Sequence, residues 1–185
     1  MGDAGDQRKR VTELMVAYQA GDEKAFEGLY DEVAGPVLGY LRSLTRDAAR
    51  AEDLLQETFF HVHRARHTFH PTCSAKAWIY AIAHNVFLMW RRGAKRLSRH
   101  EGLAESDLPD IPVPAEVETL AARDALQLAL ARLPEKRREA LLPHHVEGLS
   151  FQEVGAVQGV TALAAKLRSH RAMAELRQLL RGEGS

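Results

Sequence analysis

Cationic and aromatic side chains alternate along one predicted helix between residues 75 and 92. Five of them recur every three or four residues, which places them on one helix face: Lys76, Tyr80, His84, Phe87 and Arg91. Cations bind phosphates, aromatic rings stack on unpaired bases, and the amide of Asn85 can hydrogen-bond a base edge. Residues 58–100 contain eight Lys or Arg and no Asp or Glu. The pattern predicts a nucleic-acid surface; the alternative is a solvated cationic face with one or two aromatic rings in the core.

A second candidate for DNA binding lies in the last third of the chain. Ser150 and Glu153 form a capping-box pattern that opens a short helix. Gly159 closes it, and Thr161 can cap a longer helix to about Leu180. This order predicts a helix-turn-helix, whose second helix enters the major groove of DNA. Candidate contacts are Thr161, Lys166, Arg168, His170 and Arg171. A helical hairpin that serves only for packing is the alternative.

One face of a predicted helix that begins near Arg50 is acidic. It carries Asp53, Gln56, Glu57 and Phe60, whereas Leu55, Phe59 and Val62 form an apolar stripe on another side. Paired carboxylates that act as acid and base need burial or contrasting environments, which an amphipathic helix does not offer. We therefore expect either a solvated face or a docking surface for a basic partner, and no catalytic site.

Histidines are dense at the end of the same helix, and a cysteine follows them: His61, His63, His67, His70 and Cys73. Their spacing matches no zinc motif, so DNA-facing histidines are favoured over a metal site, which stays open as an alternative. Cys73 is the only cysteine, which excludes an internal disulfide and suits a reducing compartment. No phosphate-binding glycine loop or nucleophile elbow is present, so we expect no cofactor.

The elements that must position these side chains are all predicted to be helices. Ala, Leu, Arg and Glu are abundant, whereas clusters of β-branched residues are scarce. Gly21 and Asp22 start one helix, and Pro36 is predicted in the first turn of the next. Further helices are expected at about 119–132 and 135–147.

Charge and proline content divide the chain. Residues 101–118 contain three prolines and six acids without helical periodicity, which predicts a flexible acidic linker. The expected fold is all-α, with two small helical domains at residues 11–100 and 119–185, a disordered amino terminus at residues 1–10, and a helix-turn-helix in the second domain. No apolar run approaches the roughly 20 residues that span a bilayer, and no signal core is present. We expect a cytoplasmic protein without membrane insertion.

Five blocks together resemble the extracytoplasmic-function (ECF) group of bacterial RNA polymerase sigma factors. They are GDEKAFEGLYDEVAGPVLGYLRSL, AEDLLQETFFHVHRARHTFHP, AKAWIYAIAHNVFLMWRR, LARLPEKRREALLPHHVEGLSFQEVGAVQGV and KLRSHRAMAELR. The resemblance extends from about Val11 to Leu180. It implies a dissociable, non-enzymatic polymerase subunit that recognises promoters and helps to open the −10 region, commonly under control of an anti-sigma factor.

The resemblance also assigns roles to residues. The acidic face at Asp53, Gln56, Glu57 and Phe60 would dock on the clamp helices of core RNA polymerase. The −10 element would be bound by His70, Thr72, Ser74, Lys76, Trp78, Tyr80, His84, Asn85, Arg91 and Arg92. The helix-turn-helix would read the −35 element and rest on the polymerase flap. This chain departs from the common pattern at His84, at Met89 and over residues 163–168, where Leu-Ala-Ala-Lys-Leu-Arg lacks small polar residues.

Overall fold

The protein is described here by a computed structural model that covers residues 3–101, 126, 128–130 and 132–181. These residues form helices and connecting turns, with no strand among them. The helices are α1 (Asp3–Gln19), α2 (Glu23–Thr45), α3 (Ala48–Ala65), a 3₁₀ turn (Arg66–Thr68), α4 (Ala75–Glu101), α5 (Glu135–His145), α6 (Phe151–Gln158) and α7 (Ala162–Leu180). The all-α prediction is confirmed. No helix in this part of the chain is long and apolar enough to cross a membrane.

Helices α1 to α4 pack around one apolar core, in which α2 contacts α1, α3 and α4. Its largest fully buried side chains include Tyr80, Phe87, Met15, Leu29, Leu41, Leu54 and Ile79. The predicted apolar stripe of α3 is buried, as expected for an amphipathic helix whose polar side faces water. Helix α4 continues beyond the predicted end at residue 92, because the residues that follow Gly93 include good helix formers and no proline.

Two predictions about the first helices are wrong. Pro36 lies inside α2 rather than at the start of a separate helix, and buried Val33 and Val37 on either side keep the helix packed through it. Residues 3–10, predicted as disordered, belong to α1. Tertiary contacts hold this segment, since Arg8 pairs with Glu153 and Arg10 Nε lies 2.9 Å from a Glu32 carboxylate oxygen.

The carboxy-terminal helices form the predicted helix-turn-helix. The Ser150–Glu153 capping box is present in both directions at the start of α6. Gly159 has a φ of 64°, the left-handed conformation that glycine adopts without strain, and it ends α6. The Thr161 side chain then accepts a hydrogen bond from the amide of Ala164 and caps α7. Helix α7 packs against α5 and α6.

The two groups of helices pack against each other. Helix α6 contacts α4, and α5 contacts α2. Leu142, Leu149, Val154 and Val157 join the core of α1 to α4. The predicted linker at residues 101–118 falls almost entirely outside the described residues. Within the helix expected at 119–132, residues 126, 128–130 and 132 are helical.

Candidate polymerase and nucleic-acid interfaces

The predicted docking face of α3 is fully available to a partner. Asp53, Gln56 and Glu57 are exposed, and Phe60 beside them exposes 57% of its surface. Among the described residues, the ion-pair partners of the two carboxylates are half-exposed side chains: Arg50 lies 3.2 Å from Asp53, and His61 lies 3.8 Å from Glu57. Exposed ion pairs of this kind contribute little to stability, so the carboxylates remain free to engage a basic partner.

A small groove lies between α3 and α4 beside this face. Its cavity of about 160 Å³ is lined by His61, Ala65, Ile82, Asn85, Val86 and Met89. Asn85 and Met89 are exposed, whereas Val86 lies at the buried base. An amide among apolar side chains can hold a flat polar ring, with the amide on the ring edge and carbon atoms on its face.

The loop that joins α3 to α4 presents polar groups near the start of α4. His70 and Thr72 are exposed, with 2.8 Å between His70 Nδ1 and the Thr72 hydroxyl oxygen. Phe69 is buried, and its ring centroid lies 5.6 Å from that of half-buried Trp78. Two hydrogen bonds from Gln19 Nε2, to the carbonyl oxygens of Arg66 and Phe69, are each 2.9 Å long and fix the loop base on α1.

Three residues predicted to contact DNA are buried instead of exposed. Lys76, Tyr80 and His84 expose 8%, 0% and 3% of their surfaces. The physical reason is that α2 and the turn after α5 cover this face of α4: Tyr40 of α2 contacts Tyr80 and His84, and Glu147 of the turn contacts Lys76. Lys76 Nζ is 3.0 Å from a Glu147 carboxylate oxygen, and both side chains are at most 10% exposed.

Arg91 is held on the same face by carboxylates of α5. Its guanidinium pairs with Glu135 and lies 3.3 Å from a Glu139 oxygen. Burial, reinforced by the neighbouring Glu135, raises the pKa of Glu139 to about 7. The cationic stripe of α4, formed by Lys76 and Arg91, therefore meets three glutamates contributed by α5 and the turn after it. Arg92, one residue on, is exposed.

His84 occupies a nonpolar position beneath this ion-pair layer. Its Nδ1 atom lies 3.0 Å from the buried hydroxyl oxygen of Tyr40. Burial lowers the pKa of His84 to about 4, and the positive charge of Arg91 acts in the same direction. The ring is therefore neutral at pH 7, and this nitrogen can accept a hydrogen bond from the Tyr40 hydroxyl.

Every polar residue proposed for the second helix of the helix-turn-helix is accessible. Thr161, Lys166, Arg168, His170 and Arg171 are all exposed, whereas Ala165, Ser169 and Ala172 face the packed side of α7. Leu163 and Leu167 are also exposed, at 66% and 50%. The outward face of α7 thus combines cations with two large apolar side chains.

Comparison with known proteins identifies the family. The model of Sigma-70 region 2 matches residues 29–97, and that of Sigma-70 region 4 matches residues 123–176. RNA polymerase sigma factor CarQ of Myxococcus xanthus is 35% identical over 166 residues, which cover 90% of this chain and 95% of CarQ. ECF RNA polymerase sigma factor SigF of Caulobacter vibrioides is 33% identical, covering 95% of this chain and 97% of SigF. The chain belongs to the ECF sigma factors.

Solved structures have the same fold as this sigma factor. RpoE of Bartonella quintana, crystallised with the anti-sigma factor NepR, matches with a TM-score of 0.72 at 25% identity and covers 85% of this chain and 98% of its own. CnrH in complex with the cytosolic domain of CnrY matches with a TM-score of 0.67 at 22% identity, covering 95% and 99%. As a member of its family, the protein directs core RNA polymerase to promoters.

The histidine cluster of this sigma factor is dispersed in three dimensions. Within the described part of the chain, no three His, Cys, Asp or Glu side chains are placed to hold one metal ion. His63 instead directs Nδ1 toward the Tyr18 hydroxyl, 2.5 Å away. His61 lines the groove between α3 and α4, and Cys73 is exposed in the loop.

Sequence reasoning missed two parts of this arrangement. The groove was not predicted: Ile82 is only partly buried and lines it with Met89. The glutamates that meet the cationic stripe were not predicted. The spacing of Glu135 and Glu139, one turn apart, indicates an acidic helix face, but nothing in the sequence shows which surface that face contacts.

Proposed function

We propose that this ECF sigma factor is a dissociable subunit that docks on core polymerase through α3, captures an unpaired −10 base between α3 and α4, and reads the −35 element with α7. The observation that carries this proposal is the accessible groove around Asn85, directly beside the exposed face of Asp53 and Glu57. A polymerase dock and a single-strand site on adjacent helix faces suit a protein that must act on DNA while bound to the enzyme.

The groove suits one base better than a duplex. It is small, it has one amide at its rim, and apolar carbon atoms line most of it. Flipping a base out of the stack costs a few kcal/mol, and stacking on an aromatic ring, which the groove offers in His61, recovers roughly 1–3 kcal/mol per base. The flanking nucleotides would pass along the loop between α3 and α4 and the start of α4. This region contains His70, Thr72, Ser74 and Trp78.

The buried stripe of α4 has a conditional role in this proposal. Lys76 and Arg91 would reach DNA only after α5 and the turn after it have separated from α4, because Glu147 and Glu135 occupy their polar atoms. Tyr80 is enclosed in addition by Tyr40 of α2, whose ring centroid lies 5.3 Å from its own. The arrangement with α5 on α4 would then be the DNA-free form. His84, neutral and enclosed, would support the helix rather than bind phosphate.

The proposed mechanism contains no covalent step, so we propose that the protein is not an enzyme. We also propose that it works in the cytoplasm, where polymerase and promoter are found.

RpoE, with the same fold, was crystallised with an anti-sigma factor. We therefore propose that an anti-sigma protein controls this chain by covering the polymerase- and DNA-binding faces. A stand-alone repressor would leave the docking face of α3 without a role.

Two sets of variants separate docking from strand opening. Asn85→Ala should leave pull-down of core polymerase intact and reduce open-complex formation, measured by permanganate reactivity of unpaired thymines. Asp53→Arg with Glu57→Arg should abolish the pull-down itself. Arg50→Ala, which alters the same helix surface without removing an acid, is the control and should retain both activities. Normal promoter opening by Asn85→Ala would refute the groove assignment, and normal pull-down by the double variant would refute the dock.

A further inference from the structure

Two exposed leucines occupy the centre of the outward face of α7. Leu163 and Leu167 are one helical turn apart, so their side chains lie next to each other. They point away from Ala165, Ser169 and Ala172, which are fully buried on the opposite side of the helix. Their exposed fractions of 66% and 50% show that no other described element covers them.

The surroundings of the leucines indicate what kind of molecule covers them. Lys166, His170 and Arg171 are exposed beside them on the same outward face, and the first three turns of α7 contain no carboxylate. An apolar centre flanked by cations complements a surface that is negatively charged at its edges and apolar in its middle. The major groove of DNA has this character, with phosphates along both rims and bases at its floor.

The chemistry of the base edges indicates which base the leucines can contact. A leucine side chain can neither donate nor accept a hydrogen bond, so it cannot read the polar edges of guanine, adenine or cytosine. Thymine carries the only apolar group on the major-groove floor, its C5-methyl. A leucine near the start of a recognition helix is therefore matched to a thymine.

We propose that Leu163 and Leu167 read the −35 element through the C5-methyl groups of thymines, while Lys166 and Arg171 hold the flanking phosphates. This inference rests on the proposed function, in which α7 enters the major groove of the −35 element. Residues 163–168 differ from the common ECF pattern because they lack small polar residues. In this proposal that difference changes base recognition from hydrogen bonding to contact with methyl groups.

The test uses holoenzyme assembled from core polymerase and the full chain. Promoters are first selected from a library randomised across the upstream element, and thymines should be enriched at neighbouring positions. The selected promoter is then synthesised with deoxyuridine in place of thymine in that element alone, which removes only the methyl groups. Transcription by the unaltered protein should fall about fourfold for each contacted methyl, the ratio expected when one CH₂-sized group is no longer buried.

The variants assign that loss to the two side chains. Leu163→Ala with Leu167→Ala should transcribe the thymine and deoxyuridine templates equally. Leu180→Ala, which removes a leucine about as exposed as Leu167 from the far end of the same helix, should keep the difference between templates. If the unaltered protein needs the −35 sequence but transcribes both templates equally, methyl readout is refuted. If scrambling the element has no effect, the assignment of α7 to the −35 element fails, and the inference fails with it.

Discussion

His84 shows how burial sets the charge of one side chain. The unfolded chain has a histidine pKa near 6.5, whereas burial lowers the pKa in the folded protein to about 4. Between these values the unfolded state binds a proton that the folded state excludes, so stability falls as pH decreases from 6.5 to 4. Above pH 6.5 both states are neutral and the contribution is constant. The full loss is at most about 3 kcal/mol, from 1.36 kcal/mol per pKa unit.

A urea-unfolding experiment isolates this contribution. The difference in unfolding free energy between the unaltered protein and His84→Gln should decrease by up to about 3 kcal/mol on going from pH 7 to pH 4. Glu139, whose pKa burial raises to about 7, favours the folded state as pH falls over part of the same range. Because both proteins contain Glu139, its contribution cancels in the difference. A difference that does not change with pH would contradict the neutral, buried imidazole.

The turn of the helix-turn-helix depends on the absence of a side chain at Gly155. A Cβ atom there would lie 2.7 Å from the carbonyl oxygen of Val160 and 3.2 Å from the amide nitrogen of Ala162. Both are backbone atoms of the turn, and the Val160 amide already bonds to the Gly155 carbonyl at 2.9 Å. The close approach of α6 to the turn therefore requires glycine.

Gly155→Ala should consequently destabilise the protein by about 1–3 kcal/mol, the usual range for overpacking. Gly93→Ala is the matched control, because a Cβ at this position in α4 meets nothing within 4 Å. It should stabilise the protein by up to about 1 kcal/mol through helix propensity. Chemical unfolding followed by circular dichroism measures both changes. Equal effects of the two substitutions would show that the contact at Gly155 is unimportant.

Elements were predictable from the sequence where local chemistry defines them. The Ser150–Glu153 box, Gly159 and the Thr161 cap each act within a few residues, and all three are found as predicted. The prediction that a helix starts at Pro36 is wrong because the local preference of proline for a helix start is outweighed by the packing of α2 before and after this residue. The −10, −35 and docking residues stay predictions, although exposure of the docking and −35 residues is compatible with their roles.

The arrangement of the whole molecule was not predictable, because it depends on contacts between distant residues. Lys76 and Arg91 look like free DNA-binding cations in the sequence, yet Glu147, Glu135 and Glu139 approach them from 44 to 71 positions away. Removing one partner of a buried pair leaves an uncompensated charge and typically costs about 3–5 kcal/mol. The contact between α4 and the carboxy-terminal helices should therefore be sensitive to Glu147.

Glu147→Gln should shift the protein toward a form in which the carboxy-terminal helices have left α4, since water can solvate Lys76 there. Spin labels on Cys73 and on an introduced Ala156→Cys report this change by pulsed electron paramagnetic resonance, because both sites are exposed and Cys73 is the only native cysteine. The unaltered protein should give a narrow distribution of distances between the two labels. Glu147→Gln should give a broader distribution that is shifted to longer distances. Glu175→Gln, which removes an ion pair with Arg137 between α5 and α7, should leave it narrow. An unchanged distribution in Glu147→Gln would show that apolar packing alone holds the interface.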